Sequence, residues 1–189
     1  MGKELWKPGN MLYPVPAVMV TVGDGKAKDN IITIAWTGTI NSDPPMVSIS
    51  VRKSRYSHDL LMEHGEFVVN LVTRELTYAM DYCGVKSGRD MDKFAEMKLT
   101  RGAGRTVSVP VIAESPVNIE CKVTQVLELG SHDMFLAEVT GVQADERYMD
   151  ENGKFDLRKA DLIAYSHGQY YTLGENIGKF GYSVQKKQK

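Results

Sequence analysis

A cluster of cationic and hydroxyl side chains between two predicted elements is the part of the chain best suited to chemistry. It consists of Arg52, Lys53, Ser54, Arg55 and Ser57. A helix is predicted at His58–His64, with Ser57 as its N-cap. Guanidinium groups, hydroxyls and the free amides of a helix N-terminus together saturate the oxygens of a phosphate. The cluster therefore indicates a site for the anionic end of a ligand, although a solvated basic turn is the usual alternative.

Two apolar runs with alternating polarity lead into this cluster and must position it. Ile31–Thr39 is predicted to form one strand and Met46–Arg52 another, joined by turn residues that include Pro44 and Pro45. The faces opposite the apolar ones are rich in small hydroxyl side chains, which leaves room for a flat ligand against the backbone. Trp36 falls on the apolar face of the first run. Periodicity alone favours a core aromatic there, and the alternative is the wall of a ligand site.

The rest of the chain adds short strands and few helices. Further strands are predicted at Val15–Val22, Phe67–Val72, Asn118–Leu129, Met134–Val142 and Leu162–Tyr165. A bulge is expected near Gln125. The helix that precedes Gly65 should be followed by a second at Glu75–Cys83, ended by Gly84, and by one helical turn at Lys93–Met97. This pattern predicts a mainly β fold with short helices, a β-barrel, as one domain over residues 1–189.

Composition argues against several classes of function. The 189 residues carry a net charge of −1 and the pI is about 6.4, which gives no electrostatic reason to expect nucleic acid or an anionic membrane as partner. The basic tail Lys186–Lys189 is expected to be a solvated end. No apolar run approaches membrane-spanning length and no signal peptide is recognised, so a cytoplasmic protein is expected. Cys83 and Cys121 form no zinc or redox spacing, and no metal site is expected.

Short motifs in a fixed order run through nearly the whole chain. They are Tyr13-Pro14-Val15-Pro16, Asn30, Ala35-Trp36-Thr37, Asp43-Pro44-Pro45, Ser50-Val51-Arg52, Phe67–Leu71, Asp92-Lys93-Phe94, Ser131-His132-Asp133 and His167–Tyr171. No single motif is specific, but in this order they resemble the flavin reductase-like, FMN-binding split-barrel family, and within it the flavoredoxins. The resemblance implies a split β-barrel that binds one FMN non-covalently. It also implies a homodimer with part of the flavin site at the subunit interface.

The resemblance further implies which residues contact the flavin or shape its site. These are Asn30, Ala35, Trp36, Thr37, Ser50, Val51, Arg52, Ser54, Arg55, Ser57, Cys83, Lys93, His132 and His167. It reverses the interpretation of Trp36, since in similar proteins this strand borders the isoalloxazine ring. Without the resemblance, Lys93 would be a surface lysine and Cys83 a buried inert thiol. His132 and His167 would be solvent-exposed histidines.

Two redox functions follow from the resemblance. In the first, hydride arrives from NAD(P)H at flavin N5 and electrons pass on to a free flavin, a metal or a protein acceptor. In the second, the protein is an FMN-binding electron carrier that a partner protein reduces, with no nicotinamide site of its own. A barrel that binds a ligand without redox function is the third alternative. In the redox readings the protein positions and tunes the flavin, and no catalytic residue is assigned.

Overall fold

A computed structural model describes residues 1–184, and the predicted basic tail Lys186–Lys189 lies outside the described residues. The strands are β1 (Val15–Pro16), β2 (Val18–Val22), β3 (Asn30–Ile34), β4 (Thr37–Ser42), β5 (Pro45–Arg52), β6 (Glu66–Leu71), β7 (Arg101–Gly102), β8 (Val111–Ile112), β9 (Val117–Glu128), β10 (His132–Ala144), β11 (Ile163–Ser166) and β12 (Gln169–Thr172). The helices are α1 (Tyr56–His64), α2 (Thr77–Val85) and α3 (Lys93–Glu96). Single 3₁₀ turns occur at Glu146–Tyr148, Leu157–Ala160 and Tyr182–Val184.

Seven strands form one sheet in the order β3-β2-β6-β9-β10-β5-β4, and every neighbouring pair is antiparallel. The sheet curls into a half-barrel, which confirms the predicted mainly β split-barrel fold. Consecutive strands β3 and β4 lie at opposite ends of this order. The chain therefore passes from one edge of the sheet to the other between Ile34 and Thr37. Two smaller sheets are formed by β1-β11-β12 and by β7-β8.

Strand β2 is buried on both faces, and this explains where the helices lie. Val20 points into the half-barrel, where it belongs to one core cluster with Ile49, Phe67 and Phe135. Met19 points the other way, into a second cluster. That second cluster is formed with residues of α2, α3 and neighbouring segments: Ile31, Leu76, Met80, Cys83 and Phe94. Each fully buried side chain of this size contributes about 1.5–3 kcal/mol, so the outer cluster fixes α2 and α3 against β2 and β3.

The prediction of one continuous strand over Ile31–Thr39 is wrong. Strand β3 ends at Ile34, Ala35 and Trp36 form a bend, and β4 begins at Thr37. The physical reason is the pairing, because β3 bonds to β2 whereas β4 bonds to β5 at the other edge. The carbonyl of Trp36 accepts a hydrogen bond from the Ser50 amide at 3.0 Å, which holds the bend against β5.

The predicted helices are present, but α1 begins two residues earlier than the sequence placed it, α2 lies two residues later, and α3 ends one residue earlier. Ser57 is inside α1, and the N-cap is Arg55 in an extended conformation with φ −78°. Gly65 ends α1 as predicted, in the left-handed conformation with φ 64°. Helix α2 runs from Thr77 to Val85, so Gly84 lies inside it and does not terminate it. Helix α3 begins at Lys93, as predicted.

Strands β9 and β10 form a long hairpin that carries His132 at its tip. The register shifts where Thr124 is left out of the pairing, which confirms the bulge expected near Gln125. His132 begins β10 and pairs with Arg52 of β5. Within residues 1–184, no helix is both long and apolar enough to cross a membrane. In the same part of the chain, no three His, Cys, Asp or Glu side chains are grouped as metal ligands.

Candidate functional site

Two adjoining cavities open beside the bend between β3 and β4. The first, called the polar cavity, has a volume of about 440 Å³, and its lining includes Asn30, Ser54, Tyr56, Ser57, Cys83, Lys86, Ser87, Gly88, Arg89 and Lys93. The second, called the aromatic cavity, has a volume of about 380 Å³, and its lining includes Tyr13, Ala35, Trp36, Ser50, Val51, His132, Tyr165 and Tyr170. Ile32, Arg52 and Arg55 line both cavities. The two cavities therefore adjoin, and each has a size that small-molecule ligands occupy.

The wall of the polar cavity contains polar groups that are almost fully buried. Asn30 is 4% exposed and Ser57 1% exposed. The Asn30 side-chain amide donates a hydrogen bond to the Ser57 hydroxyl at 2.8 Å. The amide oxygen of Asn30 is buried and has no hydrogen-bond partner among the described residues. An unpaired buried acceptor costs about 1–3 kcal/mol. This oxygen faces Gly88, where an added Cβ atom would overlap it.

Lys93 brings a buried cation to the same cavity. Its side chain is held because α3 begins at Lys93 and packs on β3, and the residue is only 4% exposed. The ammonium donates hydrogen bonds to the carbonyls of Ile31 and Cys83, both at 2.7 Å. Burial lowers the pKa of Lys93 to about 8. An ammonium has three N–H donors, so one remains for a ligand in the cavity.

The N-terminus of α1 faces the polar cavity through Tyr56 and Ser57. No described side chain caps this end of the helix. The exposed Arg52 and Arg55 lie at the same place, at the mouth of the cavity. Free amides at a helix start, together with guanidinium groups, form a binding site for an anion. The corner therefore suits a phosphate or carboxylate group.

Lys53 belongs to the same turn but is directed away from the cavity. Its ammonium lies 2.7 Å from Glu128 and 3.4 Å from Asp133. The Asp133 carboxylate also forms a hydrogen bond of 2.8 Å with Nε2 of His58 in α1. Burial opposes its ionisation, but hydrogen bonds from His58 and Lys53 outweigh that effect and hold the pKa of Asp133 below its usual range. These contacts attach the turn and the first turn of α1 to β10, so they hold the basic corner in place.

The aromatic cavity has a different character. The Trp36 and His132 rings lie with their centroids 4.7 Å apart, and Trp36 is 42% exposed. Burial, with a smaller contribution from nearby Arg52, lowers the pKa of His132 and favours the neutral imidazole. Across the cavity, the hydroxyl of Tyr170 donates a hydrogen bond to Asp81 at 2.6 Å. Flat apolar faces with a neutral histidine suit a planar heteroaromatic ring.

Comparisons with known proteins agree with this geometry. The model of the flavin reductase like domain matches residues 10–174. The chain belongs to this family. It is 32% identical to the flavoredoxin of Desulfovibrio vulgaris (Miyazaki F), with a TM-score of 0.89 over 98% of this chain and 100% of that one. It is 29% identical to the flavoredoxin of Methanosarcina acetivorans, with a TM-score of 0.86 over 97% of this chain and 100% of that one. An uncharacterised protein of Archaeoglobus fulgidus is 32% identical over 87% of this chain and 91% of its own length.

The flavin reductase-like fold brings most of the predicted site residues together. All of them except Thr37 and His167 line one of the two cavities. The Thr37 hydroxyl donates to the Ser48 carbonyl at 2.7 Å. Thr37 lines a third cavity of about 730 Å³ beside residues 9–13, which shares Tyr13, Ala35, Trp36 and Ser50 with the aromatic cavity. His167 is exposed and has a positive φ of 50°. Its ring centroid is 5.2 Å from that of Tyr13, so it supports the aromatic cavity from outside.

Sequence reasoning missed one wall of the polar cavity. Lys86, Ser87, Gly88 and Arg89 line it opposite the turn at 52–57, and none of them was among the predicted site residues. A signal was available, because the segment repeats the lysine, serine and arginine composition of that turn. Tyr13 and Tyr165 were also missed as cavity residues. They are distant in sequence and meet because β1 pairs with β11.

Proposed function

We propose that this protein binds one FMN non-covalently, with the phosphate in the polar cavity and the isoalloxazine ring in the aromatic cavity. The observation that carries the proposal is that the two cavities adjoin, since they share Ile32, Arg52 and Arg55, and that they differ in chemical character. The 32% identity to a flavoredoxin over nearly the whole chain supports it. A phosphate-sized basic corner, with no dinucleotide-binding motif in the sequence, favours FMN over FAD.

Each part of FMN has residues suited to it. The phosphate is assigned to the start of α1, with Arg52, Arg55 and the hydroxyls of Ser54 and Ser57. Asn30 is assigned to this corner as the residue whose side-chain amide orients the Ser57 hydroxyl. Ala35, Trp36, Ser50, Val51 and His132 are assigned to the ring. Lys93 offers its remaining N–H, and Cys83 contributes contact surface only, because burial raises the pKa of its thiol to about 11.

We propose an oxidoreductase function in which electrons pass from NAD(P)H through the flavin to a free flavin, a metal or a protein acceptor. Bound FMN supplies hydride acceptance and one-electron transfer, and the protein supplies position and electrostatics. Trp36 leaves the aromatic cavity partly open to solvent, which gives a donor access to the ring. Similarity to flavoredoxins also supports a second candidate, an FMN electron carrier reduced by a partner protein.

One spectrum and one reduction experiment test these proposals. The purified protein is expected to be yellow and to release FMN on denaturation. Rapid anaerobic bleaching by NADH or NADPH alone would support the oxidoreductase, whereas bleaching only by a reduced partner protein would support the carrier. A colourless preparation that takes up neither FMN nor FAD in a titration would contradict both.

We also propose that the protein is a homodimer. Each chain is proposed to form a single domain, and the expected location is the cytoplasm. Both terminal segments of the protomer expose large apolar side chains, among them Leu5, Trp6, Leu12, Ile177 and Phe180. Such surfaces mark interaction sites, and a second copy of the chain is a partner that would cover them. Residues 9–13 adjoin Trp36 at the open end of the ring site. Sedimentation that finds a monomer at micromolar concentration with flavin still bound would contradict the dimer.

A further inference from the structure

The segment Lys86–Arg89 closes one side of the polar cavity and contacts the turn on the opposite side. The Arg89 guanidinium donates a hydrogen bond to the carboxylate of Asp59 in α1 at 2.8 Å. It also donates a hydrogen bond to the Ser54 carbonyl at 3.4 Å, in the middle of the turn at 52–57. The Cζ atom of Arg89 lies 5.2 Å from the centroid of the Tyr56 ring, in a cation–π contact. One side chain therefore joins the segment to three places on the opposite wall.

Gly88 allows the backbone of this segment to approach the cavity wall. A Cβ atom at position 88 would overlap the side-chain amide of Asn30, the group whose oxygen is buried and unpaired. The Asn30 side chain cannot move away easily, because it donates a hydrogen bond to the Ser57 hydroxyl and is only 4% exposed. A glycine at position 88 thus lets the segment lie directly on the Asn30–Ser57 pair. Lys86 and the Ser87 hydroxyl line the cavity beside it.

We propose that Lys86–Arg89 is a second phosphate-binding wall, and that Arg89 is a positioning residue that holds this wall against the turn at 52–57. The proposal rests on the FMN function given above and assigns the phosphate to a cleft between two segments. Lys86 and Ser87 contact the phosphate, while Arg89 acts through Asp59 and the Ser54 carbonyl. Because riboflavin lacks the phosphate, the wall retains FMN and has little effect on riboflavin.

Dissociation rates of FMN and riboflavin test the role of Arg89. Each ligand is loaded onto apoprotein, displaced by dilution, and followed through the recovery of flavin fluorescence. Arg89→Gln is expected to release FMN about three- to tenfold faster, with riboflavin unchanged. Arg74→Gln is the matched control. Arg74 is also exposed and forms an ion pair of 2.6 Å with an aspartate, Asp161, and this pair does not line the polar cavity. Equal acceleration for both ligands, or none, would overturn the proposal.

Asp59→Asn separates positioning from simple attraction between charges. Removing a carboxylate near a phosphate should strengthen FMN binding if only long-range charge matters. If Arg89 needs Asp59 to hold the wall closed, the same substitution accelerates FMN release. Unchanged or slower FMN release in Asp59→Asn would therefore overturn the positioning role.

Gly88→Ala tests the contact with Asn30 through a double-mutant comparison. In the natural background it should accelerate FMN release, whereas in an Asn30→Ala background most of that effect should disappear. Gly174→Ala, where an added Cβ meets nothing within 4 Å, is the control. The same acceleration in both backgrounds would refute the contact. A parent protein that binds no FMN refutes this proposal together with the proposed function, whereas FMN binding that depends on Arg55 but not on Arg89 or Gly88 refutes this proposal alone.

Discussion

The polar and aromatic cavities differ in how completely one chain builds them. In the polar cavity, Asn30, Ser57 and Lys93 are more than nine-tenths buried and are oriented by hydrogen bonds within the protomer. In the aromatic cavity, Trp36 is 42% exposed and the adjoining residues 9–13 lie largely on the surface. Buried, preoriented polar groups lose little freedom when a ligand binds. The comparison indicates that the phosphate end supplies affinity, while the ring end stays open for electron donors, acceptors or a second subunit.

Replacing the buried lysine is expected to have the largest effect. Lys93→Met leaves the carbonyls of Ile31 and Cys83 without their donor, and each buried unpaired acceptor costs about 1–3 kcal/mol. Relief of the buried charge offsets part of this cost, so the free energy of unfolding should fall by about 2 kcal/mol. Urea denaturation of the apoprotein measures it. Lys86→Met, at an exposed lysine of the same cavity, is the control and should change stability by less than about 0.5 kcal/mol. Equal stability of the two variants would show that the Lys93 contacts contribute nothing.

Removing one guanidinium from the phosphate corner should separate the two ends of the ligand. Arg55→Ala is expected to weaken FMN by about 1.5–3 kcal/mol, the value of a charge-assisted hydrogen bond, and to leave riboflavin affinity nearly unchanged. Titrating both ligands into the variant measures the difference. If FMN and riboflavin weaken equally, Arg55 does not contact the phosphate.

Raising the pH should weaken FMN binding through Lys93. Burial lowers the pKa of Lys93 to about 8, so the amine in the apoprotein loses its proton above that pH. An anionic ligand favours the charged form, and binding then takes up a proton, so affinity should fall by up to about tenfold per pH unit between pH 8 and 9. The phosphate is already dianionic there, since its second pKa is about 6.

The contribution of Lys93 to the stability of the apoprotein should change in the opposite direction. Lys93 is protonated in the unfolded chain but not in the folded one between pH 8 and the ordinary lysine pKa of 10.5, so its contribution to the free energy of unfolding should rise with pH in that window. Cys83 and Cys121, whose pKa values are raised by burial, contribute the opposite slope above pH 9, so the difference between the parent protein and Lys93→Met isolates the lysine. Lys93→Met should abolish the pH dependence of FMN affinity and remove the lysine contribution to the pH dependence of stability. An FMN affinity in the parent protein that is constant from pH 7 to 9 would contradict the assignment of Lys93 to the site.

The smallest effect is expected at the ring end, and it should be the same for both ligands. Trp36→Leu removes an aromatic face beside His132, which is worth about 1 kcal/mol for FMN and for riboflavin alike. Trp6→Leu is the matched control, because Trp6 is exposed and lines neither cavity. A loss confined to FMN would place Trp36 near the phosphate and reverse the orientation of the ligand.

Local features were predictable where the local signal is strong. Alternating apolar residues indicated most of the strands, Gly65 ended α1, and the bulge near Gln125 occurs at Thr124. The single strand predicted over Val15–Val22 is wrong, because β1 and β2 pair in different sheets. The break after Ile34 was not predictable from periodicity, because it results from pairing with β2 on one side and β5 on the other. Residues on either side of such a break can share one apolar pattern and still belong to opposite edges of the sheet.

Some site residues could be predicted from local sequence, whereas others are brought to the site only by tertiary packing. Arg52, Arg55 and Ser57 could be found because they are close in sequence and of types that bind phosphate. Ser57 was nevertheless given the wrong structural role, since its hydroxyl accepts from Asn30 and does not cap the helix. The burial of Lys93 and the approach of Lys86–Arg89 depend on how α2 and α3 pack on β3. The composition of Lys86–Arg89 resembles that of the turn at 52–57, but local sequence does not show that the two segments pack against each other.

The affinity ratio of FMN to riboflavin in the unmodified apoprotein tests the central claim most directly. Both ligands share the ring and ribityl chain and differ only in the phosphate. If the phosphate occupies the start of α1 beside Arg52 and Arg55, it contributes about 3 kcal/mol. FMN should then bind about a hundredfold more tightly than riboflavin, as measured by quenching of flavin fluorescence. Equal affinities would contradict the account, because they would mean that the polar cavity does not receive the phosphate.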